Sequence, residues 1–585
     1  METKKRECVV AGSSVDSVGS VAITGGAEGQ LSSVDRLPQI SRKNTNMRNP
    51  IMMLRPYSIV APALVLLATV VQPAASQEPT HIEGLGSLSF PNSGAPEAQH
   101  DFLRGVLLLH SFEYAYAAEA FRKAQRQDPD FAMAYWGEAM TYLHPVWNQK
   151  ASDAALEALG RYAPTPAARA AKVPTERERA YLAAVDVLYG EGQKAALDTL
   201  YSIEMGKLAA AYPDDIDARA FYALSLLGLS QGDRDVPTYV EAGAIALAAF
   251  RENPGHPGAV HYTIHSFDDP THAILAMEAA RAYGPIAPDA AHAQHMTTHI
   301  FLARGLWDDV VEANIRADGV ADRNLAARNL PPTFCGHYNE WLMYGYQQQG
   351  RYADADALLM GCFAQAHDER LPDGMRQAAA RSYAYMRSLN LADTRDWVGT
   401  GASSEVDVSS RPVFMQLGQA WGSGVAALHG GDRRKAEKHY AFLQDNGGSA
   451  ETGPYVPVWQ GTFHAMLLAD AGDREGALHA AKNAADYEAS LPVDFGPPRA
   501  FKPARELEGE ILLDLGRGED ALIAFEKALA RTPNRILSLA GYARAAVAAG
   551  RMEIAMNAYR RLAKLLRAAD EEMAEAREAR AFLAH

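Results

Sequence analysis

The sequence predicts an all-α protein, a right-handed superhelix of stacked helix-turn-helix units (an α-solenoid). Two observations lead to this prediction. From residue 77 onward apolar residues recur at helical spacing, with little of the alternation that a half-buried strand requires. Small, aromatic and proline residues also return 34 residues apart, and a unit of that length buries its apolar face only when neighbouring units stack against it.

Composition restricts the class of protein further. The chain has 585 residues, of which 48% are hydrophobic and 22% charged, and this excludes a disordered, collagen-like or multi-span membrane chain. Its formal net charge at pH 7 is −15. A chain of this charge without a basic stripe repels phosphate backbones, so we expect no nucleic-acid partner.

Residues 1–76 are predicted to be a leader with a signal peptide. The apolar run 59–71 is long enough for the hydrophobic region of a signal peptide and too short to span a bilayer, which takes roughly 20 helical residues. Small residues at 74–76 place the cleavage before Gln77. The mature chain is then expected in the periplasm of a Gram-negative type of cell or secreted, with no stable membrane span. An uncleaved anchor is the alternative, and the true start codon stays open.

Removal of the leader makes the protein more acidic. The leader holds eight basic and five acidic residues, so the net charge changes from −15 to −18. Such a surplus of acid suits a groove that attracts cations.

A linker is expected over 77–97, and the repeat units follow it. Three positions near the C-terminus return after 34 residues: Gly516, Ala521 and Phe525 reappear as Gly550, Ala555 and Tyr559. In such a repeat the small residues let the two helices of one unit touch, and the aromatic residue fills the gap to the next unit.

These spacings resemble the tetratricopeptide-repeat family. The segments HYTIHSFDDP, HAQHMTTHIF and HYNEWLMYGYQQQGR are similar to a histidine-rich bacterial subgroup of its exported members. The resemblance covers roughly 98–570. It implies an N-terminal array with a histidine-rich groove over 98–369, irregular and repeat helices over 370–491, and a C-terminal pair with a capping helix over 492–585. It also implies a concave groove that binds a peptide, a protein or a small-molecule ligand, and it implies no activity.

Two histidine pairs repeat in register. His261 and His265 lie four residues apart, and His295 and His299 follow them at a distance of 34 residues. Residues four apart project from one face of a helix, about 6 Å from each other. The resemblance places these positions on the helix that lines the groove. A second pair on a helix packed about 10 Å away can converge on the same point.

Four converging imidazoles suit a transition metal, and copper, zinc and iron are the candidates. We therefore predict a metal site formed by the two pairs together with His337. Seven more residues are candidates for additional ligands or acid/base groups: Asp268, Glu340, His292, His110, His144, Glu506 and Glu510. Whether the site is catalytic stays open.

Other interpretations remain open beside the metal site. The groove of a periplasmic adaptor holds a peptide or protein partner without metal, and a metal buffer or carrier binds the ion without turnover. Cys335 and Cys362 either pair in an oxidising compartment or remain a ligand candidate and a core thiol. The sequence has no phosphate-binding glycine loop after a strand, no nucleophile elbow and no H-E-x-x-H motif, which removes the commonest hydrolase and nucleotide-enzyme classes.

Overall fold

The computed structural model describes residues 79–585, except 231–233, 449–451 and 494. Within those ranges the chain forms 26 α-helices, and the strands described there are short segments of two hairpins. The all-α prediction is confirmed. The predicted leader and its signal peptide lie outside the described residues. Among the helices that are described, none is long and apolar enough to cross a bilayer.

A short hairpin stands where the sequence predicted a linker. β1 (Thr80–Ile82) pairs antiparallel with β2 (Gly86–Leu88), and Gly84 adopts a φ of +79° in the turn between them. The backbone N–H of Ser87 donates to the carbonyl of Gly255 at 2.9 Å. The hairpin therefore packs against the helical array next to the start of the helix over Pro257–Ser266.

The first helices follow this hairpin, and most of them pack in consecutive pairs joined by short turns. They are α1 (Pro96–His110), α2 (Tyr114–Gln127), α3 (Ala132–Met140), α4 (Ser152–Tyr162), α5 (Pro166–Lys172), α6 (Glu176–Leu188) and α7 (Lys194–Ala211). The second hairpin, β3 (Leu143–His144) with β4 (Gln149–Lys150), lies between α3 and α4.

The middle of the array contains four regular pairs. These are α8 (Ile216–Leu227) with α9 (Val236–Glu252), α10 (Pro257–Ser266) with α11 (Met277–Ile286), α12 (Ala291–Ala303) with α13 (Trp307–Ala326), and α14 (His337–Gln348) with α15 (Tyr352–His367). Single 3-10 turns lie at Pro145–Trp147, Gly228–Ser230 and Ala273–Ala276.

The last third begins irregularly and then returns to pairs. The long helix α16 packs against α14, α15 and α18, and α17 is one short turn. The helices are α16 (Asp373–Thr394), α17 (Thr400–Ser403), α18 (Val413–His429), α19 (Arg433–Asn446), α20 (Val456–Asp470), α21 (Arg474–Ser490), α22 (Ala504–Asp514), α23 (Gly518–Arg531), α24 (Ile536–Ala548), α25 (Met552–Leu565) and α26 (Ala574–Leu583).

Aromatic residues fill the gaps between pairs, as the repeat pattern predicts. Phe121 is fully buried between Gly105 on α1 and Gly137 on α3. A Cβ atom would lie 2.7 Å from the Phe121 ring at Gly105 and 2.3 Å from it at Gly137. Only glycine admits the ring at this distance, so the small and aromatic positions of the repeat depend on each other.

The C-terminal pairs return to contact the middle of the array. The indole N–H of Trp307 donates to the carbonyl of Asn534 at 2.9 Å, and the Asn534 amide donates to the carbonyl of Gly305 at 3.1 Å. One step further, the N–H of Asp570 donates to the carbonyl of Gly350 at 3.0 Å. Residues far apart in sequence therefore meet where the C-terminal helices pack against the middle of the array.

The two cysteines of the described chain form a disulfide. Cys335, just before α14, is bonded to Cys362 on α15, with their Cα atoms 5.0 Å apart. The pairing settles the alternatives left by the sequence in favour of a disulfide. The disulfide also restrains the segment that immediately precedes His337.

Candidate metal centre

The two histidine pairs lie side by side on α10 and α12. The rings of His261 and His265 are 4.9 Å apart, those of His295 and His299 are 5.3 Å apart, and His265 faces His299 at 5.3 Å between ring centroids. Each of these four histidines exposes 2% of its surface or less. α10 is capped at its start by His256, which accepts the N–H of Ala259 at 3.1 Å.

Two further histidines join the pairs. The ring of His292, at the start of α12, lies 5.1 Å from His261, and the ring of His337, the first residue of α14, lies 4.4 Å from His295. The six side chains fall into two sets whose ligand nitrogens lie within 4.8 Å of one another. These sets are His261, His265 and His292 (triad one) and His295, His299 and His337 (triad two).

One ring nitrogen of several histidines is anchored by a hydrogen bond. Nδ1 of His261 donates to the carbonyl of His110 at 2.7 Å, and Nδ1 of His295 donates to Oδ1 of Asn314 at 2.8 Å. Nδ1 of His299 donates to Oδ2 of Asp268 at 3.0 Å. Each anchor puts the proton on Nδ1 and leaves the lone pair on Nε2, which is how protein scaffolds orient metal-binding imidazoles.

The opposite nitrogens have no partner among the described residues. The Nε2 atoms that are buried and without a hydrogen bond belong to His261, His265, His292, His295 and His299. A buried polar atom almost always has a partner in a native protein. These five Nε2 atoms are therefore available to a bound group.

Burial keeps four of the six imidazoles in their neutral form. Loss of solvation lowers the pKa of His261, His292 and His295 well below the ordinary value, with the neighbouring histidines adding to the effect. The same burial lowers the pKa of His337 to about 3. At neutral pH the rings present lone pairs, the form that binds a metal ion.

One carboxylate serves both triads. Oδ2 of Asp268 lies 3.0 Å from Nδ1 of His299 and 3.5 Å from Nδ1 of His265, while its other oxygen forms an ion pair with Arg234. Burial alone would raise the pKa of Asp268, but Arg234 and the two imidazoles outweigh it and lower that pKa far below its ordinary value. Asp268 is therefore a permanent anion behind the histidines.

Aromatic rings enclose the centre. Phe112 lies 4.3 Å from the ring of His261, and Trp341 stacks on His299 at 4.6 Å. Phe495 stacks on His299 from the other side at 5.0 Å, and it comes from the loop between α21 and α22. Walls of this kind exclude water, which strengthens electrostatic contacts inside.

The remaining predicted residues have different surroundings. His110 contributes only its carbonyl, because its ring bonds Asp217 at 3.0 Å and Tyr262 at 2.9 Å. His144 stacks on Tyr114 at 4.0 Å, outside both triads. Glu340 lies in the first turn of α14, where burial raises its pKa.

The two distant carboxylates do not reach the histidines. Glu506 pairs with Lys502 and Arg535 at 2.9 Å each, and Glu510 pairs with Lys502 at 2.6 Å. These contacts form a separate charged network that includes Asp393 on α16. Its role is to join the C-terminal pairs to the middle of the array.

Sequence reasoning missed several residues of the centre. Asn314 and Arg234 anchor ligands, and Phe495 covers them, yet none belongs to a local motif. Arg234 precedes α9 and Asn314 lies on α13, so each reaches the centre only through helix packing. His292, by contrast, was among the additional ligand candidates that the sequence predicted, and it stands three residues before His295.

Comparisons with known proteins give no family for this chain. No protein-family model matches it, and no curated protein does. Solved structures with similarity to it include the human IFIT1 dimer with PPP-AAAA (12% identity, 82% of this chain and 92% of that chain, TM-score 0.32). The yeast Tom70 structure gives 13% identity over 83% and 95% of the two chains with a TM-score of 0.26, and the P58(IPK) TPR domain gives 14% over 78% and 99% with a TM-score of 0.21. The assignment as a tetratricopeptide-type solenoid rests on the helix pairs described above.

Proposed function

We propose that the histidine centre of this α-solenoid binds a transition metal. The observation that supports it is the set of five buried Nε2 atoms without a partner. An unpaired buried polar group costs about 1–3 kcal/mol, so five such atoms in one place favour the binding of a group that pairs with them. Coordination to metal supplies the partner that these nitrogens lack.

The donor set fits a particular group of ions. Neutral imidazoles without thiolates suit copper, zinc or iron, whereas calcium and magnesium require mostly oxygen ligands. The anchors on His261, His295 and His299 supply the outer hydrogen bonds that metal-binding histidines usually have. The residues present therefore fit a transition metal.

The centre also fits catalysis, although an enzyme is not required. A metal with three imidazole ligands keeps an open position for water or a small ligand. The chain contributes the fixed tautomers of the imidazoles and the wall formed by Phe112, Trp341 and Phe495. A metal carrier with the same ligands binds the ion and shows no turnover.

Export to an oxidising compartment is part of the proposal. The disulfide between Cys335 and Cys362 supports it, because such bonds persist mainly outside the cytosol, and the apolar run 59–71 supports a signal peptide. Cell fractionation with N-terminal sequencing tests this. We expect a mature chain that begins at Gln77 in the periplasm or the medium, and an intact leader in the cytosol contradicts it.

Metal analysis of protein purified without a histidine tag tests the main proposal. We expect stoichiometric metal in the wild type and a loss in the double variant His261→Ala/His295→Ala. The matched control is His479→Ala, since His479 is an exposed histidine whose ring is hydrogen-bonded to Asn483, one turn along its own helix, at 3.1 Å. Equal, substoichiometric metal in all three proteins would contradict the proposal.

A second candidate function is ligand recognition without metal. A cleft of about 860 Å³ between the N-terminal hairpin and α13 favours it, a volume typical of small-molecule and peptide sites. Arg104 and Glu113 are among its lining residues, and Glu113 also accepts the backbone N–H of His292 at 3.0 Å. Peptide binding that persists in chelator-treated protein and disappears in Arg104→Ala supports this function, and binding only by metal-loaded protein contradicts it.

A further inference from the structure

The six histidines are divided between two positions and do not surround a single point. Within triad one the ligand nitrogens lie within 4.8 Å of one another, and the same holds within triad two. The triads share no residue, although His265 of triad one and His299 of triad two form a further group with Asp268 whose ligand atoms lie within the same distance of one another. They touch where the ring of His265 faces that of His299 at 5.3 Å and where His292 faces His295 at 6.1 Å.

Each triad has the size of one coordination sphere. A transition metal binds imidazole nitrogen at about 2.0–2.1 Å, so opposite ligands of one ion are at most about 4 Å apart. A triad within 4.8 Å needs only small side-chain adjustments to reach that size. An ion placed in one triad satisfies three histidines and leaves those of the other triad unpaired.

The unpaired nitrogens are distributed over both triads. His261, His265 and His292 of triad one each have an unpartnered Nε2, and so do His295 and His299 of triad two. The reason that favours one metal ion therefore applies twice. One ion leaves two or three buried lone pairs without a partner, and two ions satisfy them.

Asp268 links the two positions. Its Oδ2 atom accepts from His299 of triad two at 3.0 Å and lies 3.5 Å from Nδ1 of His265 of triad one. Since one carboxylate oxygen orients a ligand on each side, the two positions are held in a fixed relation. Its negative charge also offsets part of the positive charge of two bound ions.

We propose that the centre holds two transition-metal ions, one in each triad, and that a small anion bridges their open coordination positions. This proposal rests on the proposed function, and it adds the number of metal ions and the class of ligand that they bind. Each ion has three protein ligands and one open position. Two adjacent cations repel each other, and an anion of the size of hydroxide or azide between them reduces that repulsion. Paired ions in proteins stand about 3.5–4 Å apart, which a bridge of this size spans.

Copper(II) loading of the metal-free full-length protein tests the proposal. We expect two equivalents of copper per chain in the wild type by elemental analysis. His292→Ala removes a ligand of triad one and His337→Ala a ligand of triad two, so each is expected to retain one equivalent. His479→Ala, the exposed control, is expected to retain two.

Electron paramagnetic resonance of the same samples tests the pairing without any activity assay. Two bridged copper(II) ions couple, so we expect the wild-type signal to integrate to far fewer than two spins per chain. The single-triad variants are expected to give about one spin. Azide is expected to bind copper in all three proteins, and its optical spectrum with the wild type, where it bridges two ions, is expected to differ from the spectrum with either variant, where it binds one.

The outcomes separate the two proposals. Absence of copper from the wild type overturns both the proposed function and the pair. One equivalent in the wild type supports metal binding and overturns the pair, and two equivalents with two uncoupled spins overturn the bridge. The stoichiometry and spin count of the wild type need no variant, so a variant that fails to fold does not remove the test.

Discussion

Replacement of Asp268 by asparagine should weaken metal binding without removing a ligand. Asp268 accepts from Nδ1 of His299 at 3.0 Å, lies 3.5 Å from Nδ1 of His265 and forms an ion pair with Arg234. Asparagine keeps the size of the side chain, but it loses the negative charge and one of the two accepting oxygens.

The expected size of the effect follows from these contacts. Loss of an outer hydrogen-bond partner of a metal-bound histidine costs about 10–100-fold in metal affinity, or about 1.4–2.7 kcal/mol. Asp268 contacts one histidine of each triad, so both positions should lose affinity. Arg234 keeps a hydrogen bond to the carbonyl of Ser266 at 3.1 Å, which limits the damage to the fold.

Competition with a chromophoric chelator measures the affinity directly. The matched control is Asp269→Asn, because Asp269 also pairs with Arg234, at 3.4 Å, while its other partner, His272 at 2.8 Å, lies outside both triads. Thermal melting of the metal-free proteins reports any loss of stability separately. An unchanged affinity in Asp268→Asn, or an equal loss in Asp269→Asn, would refute the role of Asp268 as the shared anchor.

Three further predictions concern the scaffold. Gly258→Ala should lower the free energy of unfolding by about 1–3 kcal/mol in urea titration, because the added Cβ would lie 2.2 Å from the His110 Nδ1 atom on α1. The control is Gly160→Ala, whose added Cβ meets no atom within 4 Å, so this variant should be neutral or stabilising. Replacement of both Cys335 and Cys362 by serine should cost about 2–4 kcal/mol and match the reduced wild type, and a wild type insensitive to reductant would contradict the disulfide. The pKa of Glu506 is lowered from 4.5 to about 2. The stabilisation by ionised Glu506 is therefore complete above about pH 4.5 and is lost as the pH falls below that value. Denaturant melts at pH 5, 4 and 3 measure this, and the difference in free energy of unfolding between wild type and Glu506→Gln should shrink by about 1.4 kcal/mol per pH unit. A constant difference across those values would contradict the lowered pKa.

Much of the fold could be predicted from the sequence because the residues that define each repeat lie close together along the chain. The 34-residue spacing depends on glycine and aromatic residues that contact within a unit or between adjacent units, as Phe121 does with Gly105 and Gly137. The hairpin over 80–88 escaped notice, because three-residue strands are too short to show an alternating pattern. They form where they can dock on the helical array.

The candidate site was accessible in part for the same reason. The spacing of His261, His265, His295 and His299 requires only that two equivalent helices stack in register, which the repeat guarantees. Glu506 lay in an equivalent register and yet pairs with Arg535, so register alone did not predict its partner. Phe495 reaches His299 from the loop between α21 and α22, and a contact between segments so far apart in the chain is set by tertiary packing.

The sequence by itself determined the helical repeat and the presence of paired histidines on neighbouring helices, since both follow from spacing along the chain. Only the tertiary structure decided how the histidines are grouped, which nitrogen of each ring is anchored, and what covers them. Those features depend on the contacts of Asp268, Asn314 and Phe495, whose positions are set by packing between distant segments. Packing of that kind sums many weak interactions over the whole array, and no single stretch of sequence contains it.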